Sequence, residues 1–190
     1  MRPWARYVVC GIAGLAIGTG SAVVSVRAGA LGANQAIGPW ATGKDFGTAK
    51  ASAYTRAVVA LYGLLALPAT EARYYTATTD DGGQPLDAKC RYRVSGGTLA
   101  TKWWSLTLYD PAGYLVDNQP GIYSVGSVAL PAPEQANWTV VVAPTVQPGH
   151  WLPSGGKGRF ALTLRAYLPS DGGRGNFTVA QLPHIMREGC

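Results

Sequence analysis

From Glu71 onward, apolar and polar residues alternate with a period of two, and clusters of Gly, Pro, Asp and Ser interrupt the runs. This pattern confines the chain to short half-buried strands, because successive side chains of a strand point to opposite faces. Cys90, Tyr92 and Val94 alternate with Lys89, Arg91 and Arg93, and Trp104, Leu106 and Leu108 alternate with Trp103, Ser105, Thr107 and Tyr109. Trp138, Val140 and Val142 mark a third strand; Phe160, Leu162, Leu164, Ala166 and Leu168, alternating with Ala161, Thr163, Arg165 and Tyr167, mark a fourth. DDGGQP (80–85), SGG (95–97), DPAG (110–113), APEQAN (132–137), PSGGKG (153–158) and SDGGRG (170–175) are the turns. In such clusters Gly supplies positive φ and Pro fixes φ. Many short strands joined this way predict a mainly β fold, an antiparallel β-sandwich or jelly-roll-like domain.

One helix precedes the strands. Over Ala51–Leu67, Tyr54, Val58, Leu61, Tyr62 and Leu65 form a single apolar stripe, which predicts one packed α-helix. Pro68 ends it, since proline lacks the N–H that a helix interior needs. Residues 28–44 are glycine-rich without a period and read as a linker, with Trp40 anchoring it against the domain. Tyr7–Val26 is a run of twenty residues without a charge. At about 1.5 Å per residue it reaches roughly 30 Å, the hydrocarbon thickness of a bilayer. Arg2 and Arg6 precede the run and Arg27 closes it. The positive-inside rule then keeps the N-terminus in the cytoplasm and exports everything after Arg27. The length favours an uncleaved anchor, since signal-peptide apolar regions run about 7–15 residues; cleavage near Ala28-Gly29-Ala30 is the other reading. The expected organisation is therefore 1–27 N-terminal transmembrane anchor (or uncleaved signal), 28–44 linker and 45–190 β-sandwich domain.

At 14% charged residues the chain is too apolar for a disordered protein. The net charge of +6 falls to +3 once the three arginines of residues 1–27 are set aside, so part of the basic balance is a topology signal. There is no basic run, zinc spacing or recognisable RNA- or DNA-binding module, and no nucleic-acid partner is expected. Cys10 lies in the apolar run; Cys90 and Cys190 lie beyond it. In an oxidising compartment those two pair as a disulfide, with free buried thiols the alternative.

No catalytic set assembles in the sequence. A G-x-S-x-G elbow is missing, and His150 and His184 stand without H-x-H, H-E-x-x-H or C-x-x-C company. No cofactor and no metal is expected. Asp80-Asp81-Gly82 lacks the further ligands of a calcium loop, and Lys157 lacks the Walker spacing. Asp110 and Asp117 flank the DPAGYLVD loop. Paired carboxyls about 5–9 Å apart can cleave glycosides, but Asp110 ahead of Pro111, and Asp117-Asn118, equally suit the capping of turns.

The aromatics are more informative. Trp103 and Tyr109 share the polar parity of their strand with Ser105 and Thr107, and Arg165 and Tyr167 share that of theirs with Thr163. If the two strands are neighbours, one face carries Trp, two Tyr, Arg and hydroxyls, a surface suited to a sugar or a protein partner. If a second layer covers that face, the same residues are core.

Several blocks resemble a bacterial family, domain of unknown function 1214. They are GPW (38–40), TRAVVALYGLLAL (55–67), EARYYTATTDDGGQPLD (71–87), WWSLTLYDPAGYLVDN (103–118), YSVGS (123–127), WLP (151–153) and FALTLRAYLP (160–169). The resemblance implies a β-sandwich, jelly-roll-like domain and, for a chain this short, a single-pass anchored envelope protein. It carries over no activity. His150 departs from it, standing where a polar amide is expected before Trp-Leu-Pro. Some members are fused to, or sit beside, a second domain of unknown function, number 1254, so the resemblance implies an anchored 1254-family partner. The expectation is a non-catalytic, membrane-anchored periplasmic domain that binds an envelope partner. The alternative is a hydrolase acting on envelope carbohydrate or a small apolar substrate through Asp110 or Asp117.

Overall fold

A computed structural model describes residues 3–27, 34–43, 48, 51–61 and 67–190. Among the described residues two α-helices, α1 (Pro3–Arg27) and α2 (Ala53–Leu61), accompany ten strands. The strands are β1 (Asn34–Ile37), β2 (Trp40–Gly43), β3 (Ala72–Ala77), β4 (Arg91–Gly97) and β5 (Thr101–Tyr109). The remainder are β6 (Ser124–Gly126), β7 (Asn137–Ala143), β8 (Trp151–Pro153), β9 (Ala161–Pro169) and β10 (His184–Gly189). Six of them form one sheet in the order β1-β2-β3-β9-β5-β6, and four form a second in the order β10-β4-β7-β8. Each pairing between these strands is antiparallel except β7 with β8, which is parallel. The fold is mainly β, built of two sheets, as the alternation predicts.

The inward residues of both sheets form one apolar cluster. Trp104, Leu106 and Leu108 of β5 and Leu162, Leu164 and Ala166 of β9 join Tyr92, Val94, Val140, Val142 and Ile185 from the second sheet. At roughly 1.5–3 kcal/mol per fully buried side chain, this layer is the main favourable term of folding. Trp104 and Trp138 meet across it with ring centroids 4.3 Å apart, and Tyr92 meets Phe160 edge-on at 5.7 Å. Trp138 has room because Gly96 lies beneath its indole: a Cβ there would stand 2.6 Å from the ring. The indole N–H donates to the Gly97 carbonyl at 2.9 Å, so this large side chain is buried with its polar atom satisfied.

Three expectations change. Residues 34–43, inside the stretch read as linker, form a β-hairpin that pairs through Trp40 and Ala41 with β3. Its two-residue loop is Gly38-Pro39, and Gly38 has φ +62, as the first central position of a tight hairpin turn requires. Trp40 is buried, and its N–H donates to the Pro183 carbonyl at 2.7 Å. The helix read over 51–67 is described only as Ala53–Leu61; residues 62–66, with Tyr62 and Leu65, lie outside the described residues. Its Tyr54 is 43% exposed, and the side chains of Val58 and Leu61 lie outside those described. Leu168 leaves the buried parity of β9: at φ +50 the backbone turns over and its side chain is exposed. Finally, the second sheet is mixed because β8 follows β7 through a loop that returns in the parallel sense.

Helix α1 is long and apolar enough to cross a membrane over Pro3–Ser25, with none of that span covered by the rest of the chain. It fits a single-pass anchor or a signal sequence. At the other end of the chain, Cys90 and Cys190 are bonded, with 100 positions between them, and the bond ties β10 to β4.

Two measurements test these features. Non-reducing peptide mapping should return a Cys90–Cys190 cross-link, and Cys190→Ser should lower stability by up to about 4–5 kcal/mol in the chain-entropy limit. Gly96→Ala should cost about 1–3 kcal/mol in denaturant unfolding, because the indole of Trp138 must shift within a close-packed layer.

Candidate binding face

The pairing of β5 with β9 sets Trp103 opposite Tyr167, Ser105 opposite Arg165 and Thr107 opposite Thr163. On the other side of β9, β3 sets Ala72, Tyr74 and Thr76 against Tyr167, Arg165 and Thr163. The four candidates Trp103, Tyr109, Arg165 and Tyr167 thus share the outer face of the six-stranded sheet. The rings of Trp103 and Tyr167 stack with centroids 3.7 Å apart and planes within 7°. Arg165 donates from Nη2 to the Tyr109 hydroxyl at 2.5 Å and from Nη1 to Thr107 Oγ1 at 3.2 Å. Its guanidinium carbon lies 5.2 Å from the centre of the Tyr109 ring. Burial raises the Tyr167 hydroxyl above its usual range; the charge of Arg165 and a hydrogen bond with Ser105 oppose the shift without cancelling it.

Cover over this face is uneven. Tyr74, Thr107 and Thr163 are buried, and the amide of Leu67 donates to the Tyr74 hydroxyl at 3.3 Å, so chain overlies the β3 side. Trp103 is 39% exposed, while Tyr109, Arg165 and Tyr167 are half-buried. The face is therefore open around Trp103 and closed toward Tyr74. Its chemistry is that of contact: flat rings with polar edges, hydroxyls and one oriented guanidinium.

The carboxylate candidates lie elsewhere. Asp110 Oδ1 accepts from the amides of Ala112 and Tyr114, both at 2.9 Å, which closes the turn after β5. At the far end of that loop the turn belongs to Asn118, which accepts from Ile122 N and donates to the carbonyls of Val116 and Ile122; Asp117 is exposed. Each histidine meets a carboxylate: His150 Nε2 lies 2.9 Å from Glu134 Oε2, and His184 Nδ1 lies 2.9 Å from Asp81 Oδ2. Among the described residues no group of three His, Cys, Asp or Glu is gathered as for a metal ion.

Sequence reading missed one buried charge. Arg73, with a side chain 4% exposed, forms a two-oxygen pair with Asp171 at 2.9 and 3.0 Å. Asp171 also accepts from the amides of Gly173 and Gly175. Desolvation raises the Asp171 carboxyl, but the Arg73 hydrogen bond and the two amides outweigh it and hold the group below its usual value. The partners are 98 positions apart, so no local pattern signals them.

Together these features define a two-sheet β-sandwich domain with a half-open aromatic face. The family described as "Protein of unknown function (DUF1214)" matches residues 71–171, just over half of the chain, and the chain belongs to it. The VPA0106 protein from Vibrio parahaemolyticus has a similar fold, with TM-score 0.57 and 24% identity over 70% of this chain and 35% of that one. A putative uncharacterised protein from Burkholderia cenocepacia aligns at TM-score 0.39 and 16% identity over 63% of this chain and 29% of its own. The chain thus spans about a third of the length of these solved structures. No curated protein matches it.

The Asp171 pair sets an acid limit. A carboxyl lowered on folding stabilises the fold above its unfolded pKa of about 3.9, and the contribution is lost as pH falls through the lowered folded value. Proteolysis of the 170–176 turn should therefore accelerate as pH drops below about 4, and Asp171→Asn should abolish that dependence.

Proposed function

We propose that this chain is a membrane-anchored, non-catalytic binding module of the bacterial cell envelope. In this reading α1 lies in the inner membrane, the sandwich stands in the periplasm, and the face around Trp103 docks an envelope protein. The observation that carries it is the Trp103–Tyr167 stack, half open beside an Arg165 held in place by Tyr109 and Thr107. Large aromatics and Arg dominate the energetics of protein contacts. The arginines at positions 2 and 6 support the orientation, and the Cys90–Cys190 bond suits an oxidising compartment. The family resemblance points to the partner, an anchored protein of the 1254 family. The hydrolase reading gains nothing from Asp110, whose carboxylate is engaged by its own turn.

Two experiments test the proposal. A reporter active only in the periplasm, fused after residue 45, should be active; activity of a cytoplasmic reporter alone rejects the orientation. Crosslinking in intact cells should capture a 1254-family protein, and Trp103→Ala or Tyr167→Ala should weaken capture by more than about 1 kcal/mol while leaving a cooperative melt. Asp110→Asn and Asp117→Asn should leave capture unchanged. Unaltered capture by both alanine variants, or their unfolding, removes the docking face; loss of activity on a defined substrate in folded Asp110→Asn replaces it with the hydrolase.

A further inference from the structure

We propose that the cavity where β1, β2 and β3 meet the 170–176 turn binds a small polyhydroxylated anion, a sugar acid or a sugar phosphate. It encloses about 460 Å³, within the roughly 300–1,000 Å³ of small-molecule sites. Gln35, Thr42, Arg73, Tyr74, Arg174 and Asn176 are its functional walls, and no carboxylate side chain is among its described lining residues.

The charge balance selects an anion. Arg73 at the back is compensated by Asp171. Arg174 donates from Nε to the Asp171 carbonyl at 2.8 Å, and no ion pair to it occurs among the described residues. One positive charge is therefore left over, on a guanidinium held at the rim with its terminal N–H groups available to a carboxylate or phosphate. The rim is set by the turn's glycines. Gly173 has φ +80, and a Cβ there would stand 2.5 Å from the Ala69 backbone, so only glycine lets the turn close on residues 69–70 and hold Arg174 in place.

The remaining walls suit hydroxyls. Asn176 Nδ2 donates to Gln35 Oε1 at 2.9 Å, which leaves Gln35 Nε2 as a donor and Asn176 Oδ1 as an acceptor. Thr42, 5% exposed, adds a polar residue to the lining. Among the described lining residues a lipid chain would find little apolar side chain beyond Ala69 and Ala72.

The test uses the full-length chain in detergent micelles, titrated calorimetrically with D-glucuronate, glucose 6-phosphate, glucose and inorganic phosphate. At least one of the two sugar anions should bind at a single site, at least about tenfold tighter than glucose or phosphate alone; the tighter one identifies the acid group. Arg174→Gln, at an exposed position, and Asn176→Ala should each weaken that binding by about tenfold with an unchanged melt. Trp103→Ala should leave it unchanged, which separates this cavity from the docking face. The proposal is overturned if neither sugar anion gives heat up to about 10 mM, if glucose or phosphate alone binds as tightly, or if folded Arg174→Gln binds like the wild type.

Discussion

The pairing of β5 with β9 governs both sides of the larger sheet. A single register puts Trp104, Leu106 and Leu108 beside Ala166, Leu164 and Leu162 on the inner face, and Trp103, Ser105 and Thr107 beside Tyr167, Arg165 and Thr163 on the outer. Side chains alternate with a period of two, so a slip of one residue would turn every leucine to solvent and every polar partner into the core. The core therefore enforces the outer arrangement. Packing of the leucines aligns Trp103 with Tyr167, and the stack on the open face is a by-product of burial on the closed one.

The sheet's far end is organised by charge instead. Arg73 lies on β3 opposite Ala166, with its side chain buried. An unpaired guanidinium there would be costly, and the 170–176 turn answers it with Asp171, itself held by two backbone amides. Phe177 follows the turn into the core, 5.6 Å below the Arg73 guanidinium and stacked on Tyr75. Removing either charge therefore strands the other and frees the turn that carries Arg174 and Asn176.

What was legible in the chain depended on one-sided burial. β4, β5, β7 and β9 alternate because one face meets the core, and their residues could be assigned in or out from sequence. β3 could not be read this way: ARYYTA is covered on both faces, so its burial carries no period. β1, β2 and β8 are three or four residues long, too short for any period, and β10 places only Ile185 in the core. The sign of the first hairpin was Gly38-Pro39, read as part of a loose linker. For the candidate face, parity named the residues, but their meeting depended on a pairing about sixty positions apart that local pattern does not encode. The pairs Arg73–Asp171 and His184–Asp81 were invisible for the same reason.

The junction between α1 and the sheet sets how far the sandwich can travel. α1 ends at Arg27 and β1 begins at Asn34, which leaves six residues between them. At about 3.5 Å per residue, such a tether reaches no more than roughly 20–25 Å. With α1 seated in a bilayer, as proposed, β1 would begin within that distance of the end of the helix. A partner rooted in the same membrane, as proposed, would meet it in two dimensions, where tethering raises the effective concentration to about the millimolar range. On the proposed reading, a weak contact between the two proteins would then be enough to keep them together, and removal of the anchor would weaken the pairing with every side chain at the interface intact.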